Sequence, residues 1–153
     1  MKITDYLKED RVVADLQGTD KPSILREMSR LLTGPCQAAS AEDLVHILLD
    51  REKLESTGIG EGIAIPHGRV KKLKEFVLSF GRSTQGVDFD SIDHKPTRLF
   101  FFVMAPENSA VNNLKLLGRI VTLLKDPSFK KRLMEARSSK ELFQIISEED
   151  EKY

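Results

Sequence analysis

Residues 56–69, with the sequence STGIGEGIAIPHGR, are the part of this chain best suited to chemistry. They combine four glycines, two hydroxyl side chains, the imidazole of His67 and the guanidinium of Arg69. Glycine allows backbone N–H groups to approach an anion closely, and imidazole is the side chain that changes its charge near neutral pH. This combination indicates a phosphate group handled by a histidine.

The glycine spacing excludes two common phosphate-binding loops. Gly58, Gly60 and Gly62 do not follow the G-x-G-x-x-G pattern of dinucleotide sites, and the chain has no Gly-Lys-Ser/Thr of a P-loop. A neutral imidazole can attack phosphorus when one ring nitrogen is free and the other is held by an acceptor. Backbone N–H groups of the glycine-rich turn, the Thr57 hydroxyl and an arginine would surround the phosphoryl oxygens. The competing interpretation is that Pro-His-Gly is only a turn.

Length and composition limit the class of protein. The 153 residues fit one domain, residues 1–153, and Lys+Arg and Asp+Glu number 24 each, so the formal net charge is zero. This balance argues against a nucleic-acid partner, and no apolar run approaches the roughly 20 residues that cross a bilayer. The N-terminal residues lack the apolar core of a signal peptide, and the single Cys36 excludes a multi-cysteine zinc site. We expect a cytoplasmic protein with no membrane insertion, metal or cofactor.

Capping residues and apolar spacing predict the helices. Asp20, Ser40, Asp126 and Ser138 are N-cap candidates, and a further apolar stripe at helical spacing covers residues 114–124. The helix after Ser40 is expected to end near residues 51–52. Strands are predicted at residues 11–16, 63–65, 76–80 and 98–104, with an edge strand or bend at 86–90.

These elements predict an α/β fold. The run at residues 98–104 is continuously apolar, as in a central strand that is covered on both faces. Helices before and after a strand-rich middle imply a layered α/β/α sandwich, with a mixed central sheet of about four to five strands flanked by helices. The acidic residues 148–151 predict a frayed, solvated tail over residues 147–153.

Residues 51–52 (RE) and 56–68 (STGIGEGIAIPHG) closely resemble the signature of the fructose/mannitol-type (type 2) enzyme IIA proteins. These proteins belong to the bacterial phosphoenolpyruvate:sugar phosphotransferase system (PTS). The resemblance covers essentially the entire chain, including residues 89–93 and the Pro106 turn before a helix. The nitrogen-regulatory branch, enzyme IIA-Ntr, is similar in being a free-standing domain of this length.

The resemblance implies a role for each matching residue. His67 matches the histidine that accepts a phosphoryl group from the phosphocarrier HPr or its nitrogen-branch counterpart NPr. Arg51 matches the arginine that steadies the phosphohistidine, a role that suits its planar fork of donors. Thr57 and the backbone of glycines 58, 60 and 62 match the surrounding donors. A IIB domain, or a regulatory target such as a kinase or transporter, is the further partner implied.

The chain departs from the family at one position. Members commonly carry a second histidine, in a His-Leu-x-x-Leu pattern early in the helix after the Pro106 turn, where this chain has Asn113. An amide can donate a hydrogen bond to a phosphoryl oxygen but is never cationic. Replacing a charge-assisted hydrogen bond by a neutral one weakens it by on the order of 1 kcal/mol, which is about a fivefold effect. We predict that His67 is still phosphorylated, with altered transfer kinetics or phosphohistidine lifetime. The alternative is that Asn113 only faces water.

Three functions fit these observations. The favoured one is a phosphoryl-accepting regulator of the IIA-Ntr type, and the second is a fructose/mannitol-type IIA that passes phosphate to a IIB partner. The third is a non-catalytic regulatory or anion-binding module. The remaining histidines have ordinary interpretations, His46 as a helix surface residue and His94 as part of a turn, and Cys36 is interpreted as a packing residue.

Overall fold

The computed structural model describes residues 1–36 and 40–153. The helices are α1 (Lys21–Leu32), α2 (Ala41–Leu54), α3 (Ala110–Leu124), α4 (Pro127–Glu135) and α5 (Ser139–Glu151). The strands are β1 (Leu7–Val13), β2 (Gly58–Gly60), β3 (Ile63–Ala64), β4 (His67–Val70), β5 (Val77–Val87) and β6 (Thr97–Pro106). Among the described residues, no helix is both long enough and apolar enough to cross a bilayer.

The described strands form one mixed sheet in the order β1-β5-β6-β3-β2, with β4 also paired to β6. β5 runs antiparallel to β6, whereas β3 and β4 both run parallel to it along the same side. Ile63 lies opposite Leu99 and His67 lies opposite Val103, so the two short strands follow one another along β6. The sheet thus has six strands, slightly more than the four to five expected.

Helices cover both faces of the sheet. Phe101 and Val103 of β6 belong to a buried cluster that includes residues of α3, α4 and α5. Phe100 and Phe102 belong to a second cluster that includes residues of α1 and α2. Successive residues of one strand point to opposite faces, so a continuously apolar strand fills both clusters. The predicted layered α/β/α sandwich with a mixed sheet is confirmed.

The predicted caps begin α1 and α2. The Asp20 carboxylate accepts a hydrogen bond from Ser23 N at 2.9 Å, and the Ser40 hydroxyl accepts one from Asp43 N at 3.2 Å. α2 does not end near residues 51–52 but continues through Leu54. Arg51 therefore lies within the last helical turn.

The strand predictions differ from the structure in extent. β1 begins earlier than the predicted strand at 11–16. β5 continues to Val87, so the first two residues of the predicted edge strand or bend at 86–90 belong to β5. The strands β2 and β4 were not predicted at all. Both lie in a segment that contains several glycines, and their strand conformation comes from pairing with β3 and β6.

The acidic end of the C-terminal helix α5, expected to be solvated, is partly buried. Asp150 is fully buried, and its carboxylate accepts hydrogen bonds from Thr4 N at 3.1 Å and from Arg119 Nε at 2.8 Å. Burial alone would raise the pKa of Asp150, but these bonds outweigh it, so the pKa lies below its ordinary value. The expected solvated tail over residues 147–153 therefore differs from the structure at Glu149 and Asp150, which are buried, whereas Glu148 and residues 151–153 are exposed. A run of acidic residues does not reveal a buried cationic partner.

Candidate active site

His67 is the first residue of β4 and follows Pro66 directly. Pro66 O accepts a hydrogen bond from Val103 N at 2.9 Å, which anchors this end of β4 to β6. Side chains alternate along a strand, so His67 and Arg69 lie on the same face of β4. A Cβ atom at Gly68 would overlap Ile47 Cγ2 of α2. The missing side chain therefore allows α2 to approach β4, and α2 carries Arg51 to the histidine.

Each ring nitrogen of His67 has its own partner. Nδ1 lies 2.8 Å from Ile65 O, and Nε2 lies 3.2 Å from Arg51 Nε. A carbonyl oxygen only accepts and an arginine N–H only donates, so Nδ1 carries the proton and Nε2 presents its lone pair. The imidazole is neutral in this arrangement, with Nε2 as its nucleophilic atom.

The surroundings of His67 favour the neutral ring. Its half-buried position is the largest effect and lowers the pKa of His67, and the positive charge of Arg51 acts in the same direction. The hydrogen bond to Ile65 O and the carboxylate of Glu52 act in the opposite direction but are outweighed. A pKa below the usual 6.5 leaves the ring uncharged near neutral pH.

Arg51 is held on both sides of its guanidinium. While Nε donates to His67, Nη1 donates to Glu55 O at 2.7 Å, just beyond the end of α2. The second bond fixes the plane of the guanidinium beside the ring. The remaining N–H groups can then donate hydrogen bonds to an anion next to Nε2, because the planar guanidinium presents its donors in a fork that fits phosphate.

A cavity of about 540 Å³ opens in front of these groups. Its lining combines two arginines, one carboxylate, one amide and apolar side chains of α2: Ile47, Asp50, Arg51, Leu54, His67, Gly68, Arg69 and Asn113. The structure thus brings together His67, Arg51 and Asn113, which come from β4, α2 and α3. Arg69 also lines the cavity. Its guanidinium is part of the combination in residues 56–69, although the resemblance assigns it no role.

A family model described as "Phosphoenolpyruvate-dependent sugar phosphotransferase system, EIIA 2" matches residues 5–149. The chain belongs to this EIIA type 2 family. A "Nitrogen regulatory protein" from Bradyrhizobium diazoefficiens is 35% identical over 150 residues, which cover 96% of this chain and 95% of that protein. The crystal structure of Nitrogen Regulatory Protein IIA-Ntr from Neisseria meningitidis matches with a TM-score of 0.88 and 33% identity, covering 94% of this chain and 98% of that one.

A longer relative is equally similar in sequence. The "PTS system fructose-specific EIIABC component" of Bacillus subtilis is 35% identical over 150 residues, which cover 98% of this chain. This EIIA chain spans only 24% of the length of that relative. The resemblance inferred from the signature is confirmed, and the chain is a phosphotransferase-system component in general terms.

Thr57 of this EIIA chain lies outside the cavity lining. Its hydroxyl donates to Glu52 Oε2, and its backbone N donates to Glu52 Oε1 at 3.0 Å. The side chain is buried with that carboxylate, so it does not present a donor in front of His67. The expectation that Thr57 surrounds the phosphoryl group differs from the structure because a neighbouring carboxylate engages its hydroxyl.

The glycines of β2 and the following turn also lie outside the cavity lining. A Cβ atom at Gly58 would come within 3.0 Å of Ser91 Cα, and one at Gly60 would come within 3.3 Å of the Asp93 carboxylate. Gly62 has a φ of 79°, and its carbonyl accepts hydrogen bonds from the start of β6. These glycines allow the β2–β3 hairpin to pack against residues 89–98, and they do not form the predicted cradle around His67.

The other candidate groups lie apart from the site. His46 is largely exposed on α2, and Cys36 is buried in the cluster under α1 and α2, where burial raises its pKa to about 11. In the described part of the chain, no group of three or more His, Cys, Asp or Glu side chains is arranged to hold a metal ion.

Proposed function

We propose that His67 Nε2 accepts a phosphoryl group from a phosphocarrier protein, HPr or NPr, and that the phosphorylated chain acts as a nitrogen-type regulator. The observation that carries this proposal is the pair of hydrogen bonds on the ring, Nδ1 to Ile65 O and Arg51 Nε to Nε2. They hold one tautomer and direct the free lone pair into a cavity lined by cationic side chains.

The transfer step needs no proton to leave the ring. The Nε2 lone pair forms a bond to phosphorus while the bond between phosphorus and the donor's imidazole breaks, and the bonding electrons return to the donor ring. His67 keeps its Nδ1 proton, shared with Ile65 O, so the phosphorylated ring is cationic. When the group is passed on, the P–N bonding electrons return to this cationic ring, which departs as neutral imidazole, a good leaving group, so the phosphoryl group stays easy to transfer.

Arginine side chains would stabilise the charge on the transferring group. As the new bond forms, Arg51 Nε would exchange its hydrogen bond to Nε2 for one to a phosphoryl oxygen, while the Nη1 bond to Glu55 O keeps the guanidinium beside the ring. Arg69 lies on the same strand face and lines the same cavity, so it supplies a second positive charge. This charge offsets the absence of a second histidine at position 113.

Asn113 would contribute a neutral donor. It lies in the first turn of α3 and lines the same cavity as Arg51. Its Oδ1 atom is buried and has no hydrogen-bond partner among the described residues. The amide group is therefore free to orient its N–H toward a phosphoryl oxygen, with the strength of an uncharged hydrogen bond.

Apolar side chains at the mouth of the cavity suit a protein partner. Leu54 on the cavity wall is 82% exposed, and Leu114, next to Asn113 on α3, is 73% exposed. Large apolar side chains exposed beside a reactive group favour docking of a partner surface, which also excludes water from the transfer. A phosphocarrier meets this requirement because its own phosphohistidine must come within bonding distance of Nε2.

The relatives favour a regulatory role over sugar import. The relative named nitrogen regulatory protein aligns over 95% of its own length, and the IIA-Ntr structure matches with a TM-score of 0.88. The second candidate function, transfer of phosphate to a sugar-specific IIB partner, is supported by the 35% identity to a fructose-specific component. The two are separated by adding a IIB domain to the phosphorylated chain and following loss of phosphate.

The phosphoryl-acceptor proposal is tested by incubating the chain with phosphoenolpyruvate, enzyme I and either HPr or NPr, followed by intact-mass measurement. We expect a gain of one phosphoryl group, which His67→Ala abolishes. His46→Ala is the matched control, since that imidazole is exposed on the outer surface of α2 and should leave the gain unchanged. No mass gain with either phosphocarrier would contradict the proposal and favour the binding-module alternative.

A further inference from the structure

Glu52 is a buried carboxylate one residue away from Arg51. Three donors surround it: Thr57 N at 3.0 Å and Lys21 Nζ at 2.9 Å both reach Oε1, and the Thr57 hydroxyl reaches Oε2. Its partners come from α1 and from the segment before β2, so the carboxylate joins parts of the chain that are distant in sequence. A buried carboxylate is retained only where such donors compensate its lost hydration.

Hydrogen bonds connect this carboxylate to the reactive ring. Thr57, held by Glu52, accepts a bond at its carbonyl from Ile65 N at 3.0 Å. Ile65 O in turn lies 2.8 Å from His67 Nδ1. The acceptor that fixes the histidine tautomer therefore belongs to a peptide chain segment whose position depends on Glu52. Moving Thr57 would move Ile65 and loosen the bond to Nδ1.

We propose that Glu52, neutralised by Lys21 and bound to Thr57, is a positioning residue for His67 that sets both the orientation of the ring and the electrostatic field at it. This proposal rests on the proposed function, in which Nε2 is the phosphoryl acceptor. It also gives Thr57 a role other than the one expected from the sequence, since its hydroxyl and N–H bind the carboxylate instead of the phosphoryl group.

The charges around the network determine its effect. Lys21 Nζ lies 3.1 Å from the exposed Asp90 carboxylate and 4.7 Å from the centre of the Phe89 ring, and these contacts hold it beside Glu52. His67 itself shares its cavity with the charged side chains of Asp50 and Arg51 of α2 and Arg69 of β4, of which Arg51 bonds to the ring.

Glu52 and Lys21 should therefore influence His67 with opposite signs. The Glu52 charge raises the pKa of His67 against the lowering effects of burial and Arg51. Lys21 neutralises part of that carboxylate charge, because its Nζ lies 2.9 Å from Oε1.

The test is an NMR titration of His67 in the unphosphorylated chain, which also reports the tautomer. We expect Glu52→Gln to lower the pKa of His67 and Lys21→Met to raise it, since the latter leaves the Glu52 carboxylate without its counter-charge. Glu107→Gln is the matched control, because this glutamate is exposed and should cause no shift. Opposite shifts distinguish a charge network from simple loosening of the loop.

Two outcomes would overturn the inference: no shift of the His67 pKa in the folded variants, or shifts in the same direction. If Glu52→Gln does not fold, Lys21→Met decides alone, and an unchanged pKa there rejects the proposal. Thr57→Ser, which keeps the hydroxyl and N–H, should retain the Nδ1–H tautomer, whereas Thr57→Val should weaken it. The titration needs no phosphoryl donor, so its result is independent of whether the chain is phosphorylated.

Discussion

The two ring nitrogens of His67 have different neighbours, and this difference determines what the residue can do. Ile65 O holds the proton on Nδ1, while Arg51 meets the lone pair of Nε2. His67 and Arg51 follow from the signature in the sequence. Glu52 belongs to the same signature, but its role does not follow from it, because its partner Lys21 lies 31 residues away and no spacing rule connects the two.

The lowered pKa of His67 predicts a pH dependence of stability. The unfolded chain takes up this proton near pH 6.5, whereas the folded chain resists it to a lower pH. The free energy of unfolding is therefore fully retained above about pH 6.5 and falls as the pH drops through the lowered pKa of the folded state. Urea denaturation across this range should show the loss, and His67→Gln should reduce it. Equal pH profiles for both proteins would contradict the assigned environment.

The amide at position 113 predicts a modest kinetic effect. Asn113→His would place a group that can become cationic beside the phosphoryl oxygens and should raise the rate of phosphoryl uptake by about fivefold. Single-turnover transfer from a phosphorylated phosphocarrier measures the rate. Asn112→His is the control, because the Asn112 side chain is next in sequence, is exposed and does not line the cavity. An unchanged rate in Asn113→His would remove position 113 from the site.

At the scale of the elements, the sequence predicts the features that depend on neighbouring residues, and it does not predict those that depend on distant pairing. The caps at Asp20 and Ser40 bond to residues three positions later, so the sequence around each helix start contains the whole signal. β4 has no such local signal, since its four residues HGRV include a glycine and become a strand by pairing with β6. The glycines at 58, 60 and 62 were correctly singled out as unusual, but they serve the edge hairpin instead of an anion.

Two glycines predict opposite effects of the same substitution. Gly62 has a φ of 79°, where an L side chain is strained, so Gly62→Ala should lower the free energy of unfolding by about 1 kcal/mol. Gly118 is exposed within α3 with open space around it, so Gly118→Ala should raise that energy by about 0.5–1 kcal/mol. Chemical denaturation of both variants checks this. A change of the same sign in the free energy of unfolding of both variants would contradict the left-handed turn at Gly62.

At the scale of the whole molecule, the sheet separates two helical layers, and the site lies where both reach β4. α2 brings Arg51 from one layer and α3 brings Asn113 from the other, so neither layer alone forms the cavity. The layered architecture could be predicted from the sequence because the apolar run of β6 fills both buried clusters. The approach of α2 to His67 depends on packing of Ile47 against Gly68, which local patterns do not reveal.

The most direct test of the account is to locate the phosphoryl group on the ring. The chain, labelled with ¹⁵N in its histidines, is phosphorylated through enzyme I and a phosphocarrier, and the coupling between ³¹P and each ring nitrogen is measured. The hydrogen bond from Nδ1 to Ile65 O predicts coupling to Nε2 of His67, with the proton retained on Nδ1. A phosphoryl group on Nδ1, or on any residue other than His67, would contradict the account.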